Sequence, residues 1–424
     1  MKILIKGATL VHHDRTEKKD ILVKDSTIAK VSKKISSQEA DEVIRASGKF
    51  VFAGFIDMHT HLRTPGREDE ETLLSGALAA AKGGFTTILC MPNTTPPIDN
   101  YEIAFWIRKV SQNIGIVDIY PVGTITKERK GKELAEFGYL KEAGCLAVSD
   151  DGDPVASSLL LRRALEYAKM YNLLLISHAE EKSLAAGVML ESDISAKWGM
   201  PAIAEVAESV AVAREIELAY FTASRLHLAH ISRRRSLRLI ECAKKDKIGI
   251  SCETCPHYFS LSVKDIERNN FHANFKVNPP LGTEDDKQAI RKALKSGVID
   301  CIATDHAPHS FLEKEKSFQE ASFGMIGLEF AFSLSYQLVK EKVLSLEVIA
   351  DRLSYRPAKI LGLEERGEIR EGLRADLVIV DLEKEWVVDK ESIVSRSKNT
   401  PFLGRKLPGV VEYTISGGKI VYKK

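Results

Sequence analysis

Cysteine is scarce in this chain, with 6 among 424 residues, which is too few for a disulfide scaffold. Cys90, Cys145 and Cys301 lie inside apolar runs, where a thiol acts as a small hydrophobe. Cys252 and Cys255 have C-x-x-C spacing, but no second pair exists to complete a zinc finger. The cysteines therefore predict buried thiols and a cytoplasmic, reducing location.

Long apolar runs and an excess of one charge are also missing. No apolar stretch reaches the roughly 18 residues of a membrane span, and Lys6 interrupts the apolar start before a signal-peptide core forms. The 61 basic residues nearly balance the 59 acidic ones, which leaves a net charge of +2. We therefore expect neither a membrane nor nucleic acid as a partner.

An alternation of strand-like and helix-like segments is what the sequence does contain. The apolar, β-branched runs that predict strands are residues 49–59, 84–92, 115–125, 144–151, 172–178, 225–230, 248–253 and 299–306. Segments with helical periodicity lie between them, including residues 69–84, 158–171, 202–224 and 283–297. The last of these has Thr283 as its predicted N-cap and ends at Gly297.

Eight βα units with nearly continuous apolar strands predict an α/β fold, a closed (β/α)8 TIM-like barrel. A doubly wound sheet is the alternative, but no G-x-G-x-x-G follows an early strand. Residues 1–51 and 366–424 show short strands with tight turns, and neither segment can bury a core alone. We expect both termini to build one small β-sandwich domain beside a barrel that spans residues 52–365.

Ionisable side chains recur where the predicted strands end. They are His59 and His61 after the first strand, Asp150 and Asp151 after the fourth, His178 after the fifth, His230 after the sixth and Asp305 after the eighth. In a parallel barrel these strand ends share one face, on which barrel active sites are built. We therefore expect the side chains to converge there.

The converging set offers nitrogen and oxygen donors without a thiolate, which suits Zn²⁺, with Mn²⁺, Co²⁺ and Fe²⁺ as alternatives. Side chains two apart on a strand point the same way, so His59 and His61 can bind one ion. Spacing alone leaves open whether Asp150 or Asp151 points inward. The remaining histidines have no comparable company and are interpreted as structural: His12, His13, His227, His257, His272 and His306.

Several short motifs occur in a fixed order along the chain. They are "DMHTHLRTPG", "MPNT", "SDDGDPV", "ISHAEE", "LAHIS", "KVNPPL" and "ATDHAPHS" followed by "FGMIGLE". Each motif alone occurs widely, but the whole series resembles the type I dihydroorotases of the amidohydrolase superfamily. The resemblance spans the whole chain, including the split β-domain.

The resemblance implies a metal centre with one or two zinc ions per subunit. By this resemblance His59, His61 and Asp305 hold the first ion, while His178 and His230 hold the second. Asp151 bridges the two ions, in a place where many relatives use a carboxylated lysine. The match to the motif selects Asp151 over Asp150.

The same resemblance implies roles around the substrate. Asp305 acts as the catalytic acid and base, and Arg63 binds the substrate carboxylate through its planar guanidinium. The full set of implied substrate contacts is His61, Arg63, Asn93, Asn278, His309, Phe323 and Gly324. The charged loop of residues 309–324 is a candidate for a mobile cover over the site.

The implied reaction is the reversible ring closure of N-carbamoyl-L-aspartate to (S)-dihydroorotate in de novo pyrimidine biosynthesis. Another ring hydrolase is the first alternative, namely a hydantoinase, dihydropyrimidinase or allantoinase. A non-catalytic amidohydrolase-like scaffold is the second alternative, although such proteins typically lose metal ligands. The resemblance also implies two possible partners, a second copy of the chain and aspartate carbamoyltransferase.

Overall fold

The computed structural model of the protein describes residues 1–424 and contains two eight-stranded sheets. The first is a parallel sheet whose strands follow one another in chain order. Its strands are Phe55–Thr60, Phe85–Cys90, Asp118–Gly123, Ala147–Val148, Leu174–Ser177, Leu226–Leu228, Ile250–Thr254 and Cys301–Ile302. This order is the one that a (β/α)8 barrel requires.

The first and last barrel strands come together and nearly close the sheet. Thr60 forms a parallel bridge with His306, and the His61 amide donates a 2.8 Å hydrogen bond to the His306 carbonyl. The predicted barrel is confirmed. Its interior is filled by apolar side chains from alternate strand positions, such as Ile56, Met58 and Leu89.

Helices connect the barrel strands and cover them. The longer ones are Leu73–Gly83, Tyr101–Ile114, Ser158–Met170, Ala207–Thr222, Arg234–Lys245, Glu284–Ser296 and Ala331–Lys340. The shorter α-helices are Phe137–Glu142, Asp193–Trp198, Pro256–Ser260, Val263–Arg268, Phe311–Lys314, Leu346–Ala350 and Arg356–Leu361, and a π-helix spans Asp351–Tyr355. Single 3₁₀ turns lie at Ser37–Glu39, Lys127–Arg129, Lys182–Leu184 and Ala273–Phe275.

The helix Glu284–Ser296 begins and ends as its sequence predicts. The Thr283 side chain accepts a hydrogen bond from the Asp286 amide, and the Asp286 carboxylate accepts one from the Thr283 amide. Gly297 ends the helix in the left-handed region, with φ of 87°. The predicted helix 202–224 is shorter than expected, because Ala202–Ile203 pairs with Met189–Leu190 in a small separate sheet.

The second large sheet combines strands from both termini, as predicted for the small β-domain. Its strands are Lys2–Val11, Thr16–Lys24, Thr27–Ser32, Glu42–Arg45, Phe50–Ala53, Leu377–Val387, Lys406–Ser416 and Lys419–Lys423. Phe50–Ala53 joins the two halves, since it pairs with Lys2–Val11 on one side and with Leu377–Val387 on the other. A separate apolar cluster of 16 buried residues forms the core of this domain.

The predicted first strand, residues 49–59, is in fact two strands that belong to different sheets. Gly54 separates them, and a β-carbon at this position would lie 2.2 Å from Thr86 Oγ1. Only glycine therefore allows the chain to pass this close while it changes sheets. The division into domains stays a prediction, and we propose Gly54 as its first boundary.

Candidate metal centre and active site

The structure brings the six predicted metal ligands together at the C-terminal end of the barrel. Two of them lie at the end of the first strand, and the others follow the fourth, fifth, sixth and eighth strands. None is more than 7% exposed: they are His59, His61, Asp151, His178, His230 and Asp305. Their convergence follows from the shared direction of the strands.

Asp151 stands at the centre of this group. Its Oδ1 atom lies 3.4 Å from His59 Nε2 and 3.4 Å from His230 Nε2. The same oxygen lies 3.5 Å from His178 Nδ1, while Oδ2 lies 3.5 Å from His61 Nε2. The donor atoms form two groups that share Asp151, which is the arrangement that a bridging carboxylate requires.

Asp305 lies beside the first of these groups. Its Oδ1 atom is 3.1 Å from His61 Nε2 and 3.7 Å from His59 Nε2. The backbone of Asp305 has φ of 47°, and that of His230 has φ of 35°. Strained backbone of this kind is concentrated at functional sites, where the surrounding structure holds it in place.

The residues present fit a divalent metal ion. His59 Nε2 and Asp151 Oδ1 are fully buried and have no hydrogen-bond partner, a rare condition for polar atoms in a protein interior. Metal–ligand bonds of about 2.0–2.2 Å hold two ligand atoms of one ion roughly 3–3.5 Å apart. The 3.4 Å between these two atoms matches that spacing.

The charges in the cluster favour ionised carboxylates. Burial alone would raise the pKa of Asp151, but His59, His178 and His230 outweigh burial and hold it well below the usual range. Burial opposes ionisation of Asp305 as well, and the neighbouring imidazoles of His61 and His59 lower its pKa below the ordinary value. Both groups are therefore ionised and available as anionic ligands.

Glu253 supports the metal ligands from behind and was missed by the sequence analysis. Its Oε1 atom lies 2.9 Å from His59 Nδ1, and its Oε2 atom lies 3.1 Å from His227 Nε2. His227 was predicted to be structural without a link to the site, but it belongs to this chain of hydrogen bonds. The available signal was a carboxylate inside an apolar strand, since such a charge needs a partner.

Asp150 has a different role from its neighbour Asp151. Its Oδ1 atom accepts hydrogen bonds from the Ile125 amide at 2.8 Å and from the Thr126 amide at 3.1 Å. Asp150 thus connects two loops, while Asp151 faces the histidines. The geometry therefore distinguishes two positions that spacing alone left open.

A cavity of about 320 Å³ opens beside the cluster. All the predicted substrate contacts line it: His61, Arg63, Asn93, Asn278, His309, Phe323 and Gly324. Asp151, His178, His230 and Asp305 also reach its wall. The cavity therefore brings the predicted substrate contacts and four of the predicted metal ligands around one small volume, together with His61, which belongs to both sets.

Arg63 is held at the rim of this cavity by three neighbours. Its Nε atom lies 3.2 Å from Glu70 Oε2 and donates to the Pro308 carbonyl at 3.1 Å. One of its terminal nitrogens lies 3.3 Å from His309 Nε2. Glu70 also binds His309 Nδ1 at 3.0 Å, so this carboxylate orients both side chains. The sequence analysis did not identify Glu70.

Two asparagines connect the cavity wall to the metal ligands. Asn93 Oδ1 lies 2.8 Å from His61 Nδ1, which turns His61 Nε2 towards Asp151. Asn278 Nδ2 lies 3.3 Å from His178 Nε2 and 3.4 Å from Glu180 Oε2. Asn93 and Asn278 therefore orient ligands in addition to lining the cavity.

Comparison with known proteins places this barrel in a family. A profile described as the amidohydrolase family matches residues 50–421. The chain belongs to the amidohydrolase family. This amidohydrolase is 47% identical to a dihydroorotase from Geobacter metallireducens over 427 residues, with all of both chains covered. It is 45% identical to a dihydroorotase from Caldicellulosiruptor saccharolyticus, over 99% of this chain and 98% of the other.

Solved structures give the same architecture. An L-hydantoinase (dihydropyrimidinase) from Arthrobacter aurescens superimposes with a TM-score of 0.88 at 27% identity, over 100% of this chain and 96% of the other. A D-hydantoinase superimposes with a TM-score of 0.83 at 26% identity, over 100% and 95% of the two chains. The amidohydrolase contains no helix with the length and apolar character that crossing a membrane requires.

Proposed function

We propose that this amidohydrolase is a zinc-dependent dihydroorotase, which reversibly interconverts N-carbamoyl-L-aspartate and (S)-dihydroorotate in de novo pyrimidine biosynthesis. The observation that carries the proposal is Arg63, a partly buried cation on the wall of a cavity that the proposed metal ligands also line. Dihydroorotate has a carboxylate for this cation, whereas hydantoin and dihydrouracil have none. The dihydroorotases that are 43–47% identical over the full length support the same reaction.

The proposed metal centre follows from the two groups of donor atoms. His59, His61 and Asp305 would hold one ion, His178 and His230 would hold the other, and Asp151 would bridge them. A bound zinc ion lowers the pKa of water towards neutrality and polarises a carbonyl oxygen. The nitrogen and oxygen donors favour zinc among the ions that suit such a set.

The substrate carboxylate is proposed to bind Arg63, Asn93 and His309. The Arg63 guanidinium can donate two parallel hydrogen bonds to a carboxylate, which fixes the direction of the ring. Asn278 contacts the ring, and the backbone of Phe323 and Gly324 offers further polar groups. The ring amide then lies between this binding region and Asp305.

Asp305 is proposed to transfer the proton. In ring opening, its carboxylate accepts the proton of the water that attacks the ring carbonyl. The same carboxylate then delivers that proton to the leaving amide nitrogen. In ring closure the order reverses: Asp305 accepts a proton from the ureido nitrogen as it attacks the side-chain carboxyl group of N-carbamoyl-L-aspartate. Asp305 then delivers that proton to the oxygen that leaves this group as water.

A hydantoinase, dihydropyrimidinase or allantoinase activity is the second candidate. The high TM-scores of the hydantoinase structures favour it, because these enzymes share the barrel and the position of the site. Their identity of 26–27% is far below that of the dihydroorotases. An uncharged ring also offers no carboxylate to the Arg63 guanidinium on the cavity wall. The cytoplasmic location stays a prediction. The two partners, a second copy of the chain and aspartate carbamoyltransferase, also stay predictions.

Turnover of four ring substrates tests the proposal. Purified wild type should hydrolyse dihydroorotate and show little activity on hydantoin, dihydrouracil or allantoin. Zinc should be present at one or two ions per chain by elemental analysis. Turnover of another ring with dihydroorotate left intact would overturn the assignment, and protein that neither contains nor takes up metal would indicate a scaffold.

The variant Asp305→Asn tests the proton transfer. We expect its kcat to fall by at least about 10²-fold, since general acid–base catalysis contributes 10²–10⁴-fold. Asp300→Asn is the matched control, because Asp300 precedes the same strand at its other end and binds Lys244. Retained activity in Asp305→Asn would refute the assigned role.

A further inference from the structure

A segment from the C-terminal part of the chain crosses the active-site face of the barrel. Residues 395–399, here called the C-terminal strap, lie between two strands of the terminal sheet in sequence. The Ser395 hydroxyl donates to the Glu71 carboxylate, and the Ser397 hydroxyl donates to the Glu70 carbonyl at 2.6 Å. The strap therefore contacts the loop that carries the carboxylate orienting Arg63.

Asn399 makes the most extensive contacts of the strap. Its Oδ1 atom accepts a 3.0 Å hydrogen bond from the His309 amide. Its Nδ2 atom donates to the Ala307 carbonyl at 3.1 Å and to the Gly324 carbonyl at 3.2 Å. The Asn399 carbonyl also accepts from the Ile326 amide at 3.0 Å. A single side chain thus joins the two ends of the loop 309–324, and both ends line the cavity.

The carboxamide is the chemical group that this position requires. It has one acceptor oxygen and two N–H donors in one plane, and the observed contacts use both donors and the oxygen. Asn399 is only 5% exposed, so water cannot replace a lost bond easily. An aspartate of the same shape has no N–H donor and would place its charge against two carbonyl oxygens.

We propose that Asn399 is a positioning residue for substrate binding. It holds the His309 backbone and the Gly324 backbone at a fixed separation, and both residues line the cavity. This inference rests on the proposed function, because it assigns the two ends of that loop to the pocket for the substrate carboxylate. Asn399 lines no part of that cavity and therefore acts through the two loop ends.

A residue that only supports the fold would lower the amount of active protein, and therefore the apparent kcat, while KM stays unchanged. Asn399 is expected to act differently, because the six proposed metal ligands lie at the ends of the barrel strands and none of them contacts the Asn399 side chain. Its loss should loosen substrate binding while the metal centre stays intact. The separation of KM from kcat, together with metal content, is therefore the readout that distinguishes the two roles.

The experiment compares wild type, Asn399→Asp, Asn399→Ala and the control Asn274→Ala. Asn274 is a matched control because its side chain is also buried and donates to the Thr400 carbonyl beside the strap, away from the cavity. For the two Asn399 variants we expect KM for dihydroorotate to rise at least about tenfold, from the loss of buried hydrogen bonds. Their kcat should stay within about threefold of wild type, with unchanged zinc content.

The outcomes separate this inference from the proposed function. KM values within twofold of wild type in both Asn399 variants, or equal effects in Asn274→Ala, would overturn the inference while the proposed function stands. A loss of zinc with unchanged KM would overturn it as well. Wild type that neither binds nor turns over dihydroorotate would contradict both. If Asn399→Asp does not fold, Asn399→Ala carries the test, because it introduces no charge.

Discussion

Glu253 determines which nitrogen of His59 faces the metal ligands. Burial would raise the pKa of Glu253, but the hydrogen bonds from His227 and His59 outweigh it and lower the pKa to about 2. The ionised carboxylate therefore accepts a hydrogen bond from His59 Nδ1–H and leaves Nε2 free as a ligand atom. Carboxylate partners of this kind commonly set the tautomer and basicity of metal-bound histidines.

Substitution Glu253→Gln should weaken metal binding. The uncharged amide keeps the size of the side chain but removes the negative charge that favours the ligating tautomer of His59. We expect metal affinity to fall by about 10–100-fold, measured by competition with a chelator. Glu241→Gln, on an exposed helix surface, is the control. Equal affinities in the two variants would contradict the role of Glu253.

Substitution Arg63→Lys should impair substrate binding. Lysine keeps the positive charge but lacks the planar fork, so it cannot form the two parallel hydrogen bonds to a carboxylate. We expect KM for dihydroorotate to rise by about tenfold or more, with a smaller change in kcat. Arg67→Lys, in the same loop but half exposed, should behave as wild type. A larger rise in KM for Arg67→Lys than for Arg63→Lys would indicate that a residue other than Arg63 binds the substrate carboxylate.

At the scale of residues, the sequence predicted the side chains that end strands and missed those that support them. His59 and Asp305 follow apolar runs, so their position towards the barrel face was readable from the chain alone. Glu253 and Asn399 act on partners that are far away in sequence, and Glu70 joins the nearby Arg63 to the distant His309. Only the folded arrangement brings such pairs together, and a single chain carries no signal of which distant groups will meet.

The loop of residues 309–324 is anchored at the element scale by Lys314, at the end of the helix Phe311–Lys314. The Lys314 ammonium donates to the carbonyls of Ser322 at 2.7 Å, Ala273 at 3.0 Å and Lys276 at 3.4 Å. These hydrogen bonds hold the loop near its middle, while the side chains of Phe311 and Leu312 remain exposed. Mobility of this loop over the site stays a prediction.

The buried position of Lys314 predicts a pH-dependent contribution to stability. Burial, with a smaller effect from Lys276, lowers the pKa of Lys314 to about 7. Between about pH 7 and pH 10.4, Lys314 is protonated in the unfolded chain and neutral in the folded chain. The free energy of unfolding therefore rises with pH over this interval. Below about pH 7 Lys314 is protonated in both the folded and the unfolded chain, and the destabilisation from burying its charge is then at its maximum.

The free energy of unfolding of wild type and Lys314→Met should therefore diverge with pH. Between pH 7 and pH 10 we expect wild type to gain about 1.4 kcal/mol per pH unit relative to the variant, measured by denaturant unfolding. Lys316→Met is the control, because Lys316 lies in the same loop with its side chain nearly half exposed. Parallel pH profiles for wild type and Lys314→Met would show that Lys314 stays charged in the folded state.

At the scale of elements, local sequence signals predicted some boundaries and not others. The helix Glu284–Ser296 has both a capping box and a glycine end, and its observed bounds match the prediction. The run 49–59 gave no local sign of a change between sheets, because both strands are apolar and buried. The crossing at Gly54 depends on Thr86, which a local pattern does not include.

A buried ionic network joins the terminal sheet to the barrel at the scale of the whole molecule. Arg366 donates to Asp118 Oδ2 at 2.8 Å and to Thr87 Oγ1 at 2.5 Å, both on barrel strands. Arg374 reaches Asp118 Oδ2 at 2.9 Å and Asp376 Oδ1 at 3.1 Å. The network lies opposite the active site and ties the two sheets together.

Substitution Arg366→Met should destabilise the protein strongly. The Arg366 side chain is 5% exposed, and its removal leaves Asp118 and Thr87 with fewer partners. We expect a loss of about 3 kcal/mol in the free energy of unfolding, typical of a buried ion pair that loses one partner. Arg370→Met, at an exposed position nearby, should change it by less than about 0.5 kcal/mol. Similar values for both variants would show that the network contributes little.

At this scale, the barrel and the sharing of one sheet by both termini were predictable from the sequence. The alternation of strands and helices determines the barrel, and two half-domains too small to fold alone imply a shared sheet. The C-terminal strap was not predictable, since its hydroxyls and amide form an ordinary loop sequence. Its position depends on how the two sheets are oriented, which follows from packing across the whole chain.

The pairing of Phe50–Ala53 with Leu377–Val387 has a consequence for synthesis on the ribosome. The N-terminal strands emerge first, and the whole barrel is translated before the strand that covers their open edge becomes available. During that interval the edge of Phe50–Ala53 presents unpaired backbone groups, which are a template for association between nascent chains. Pairing with Lys2–Val11 covers only the other edge of this strand, so the open edge stays unpaired until translation nears its end.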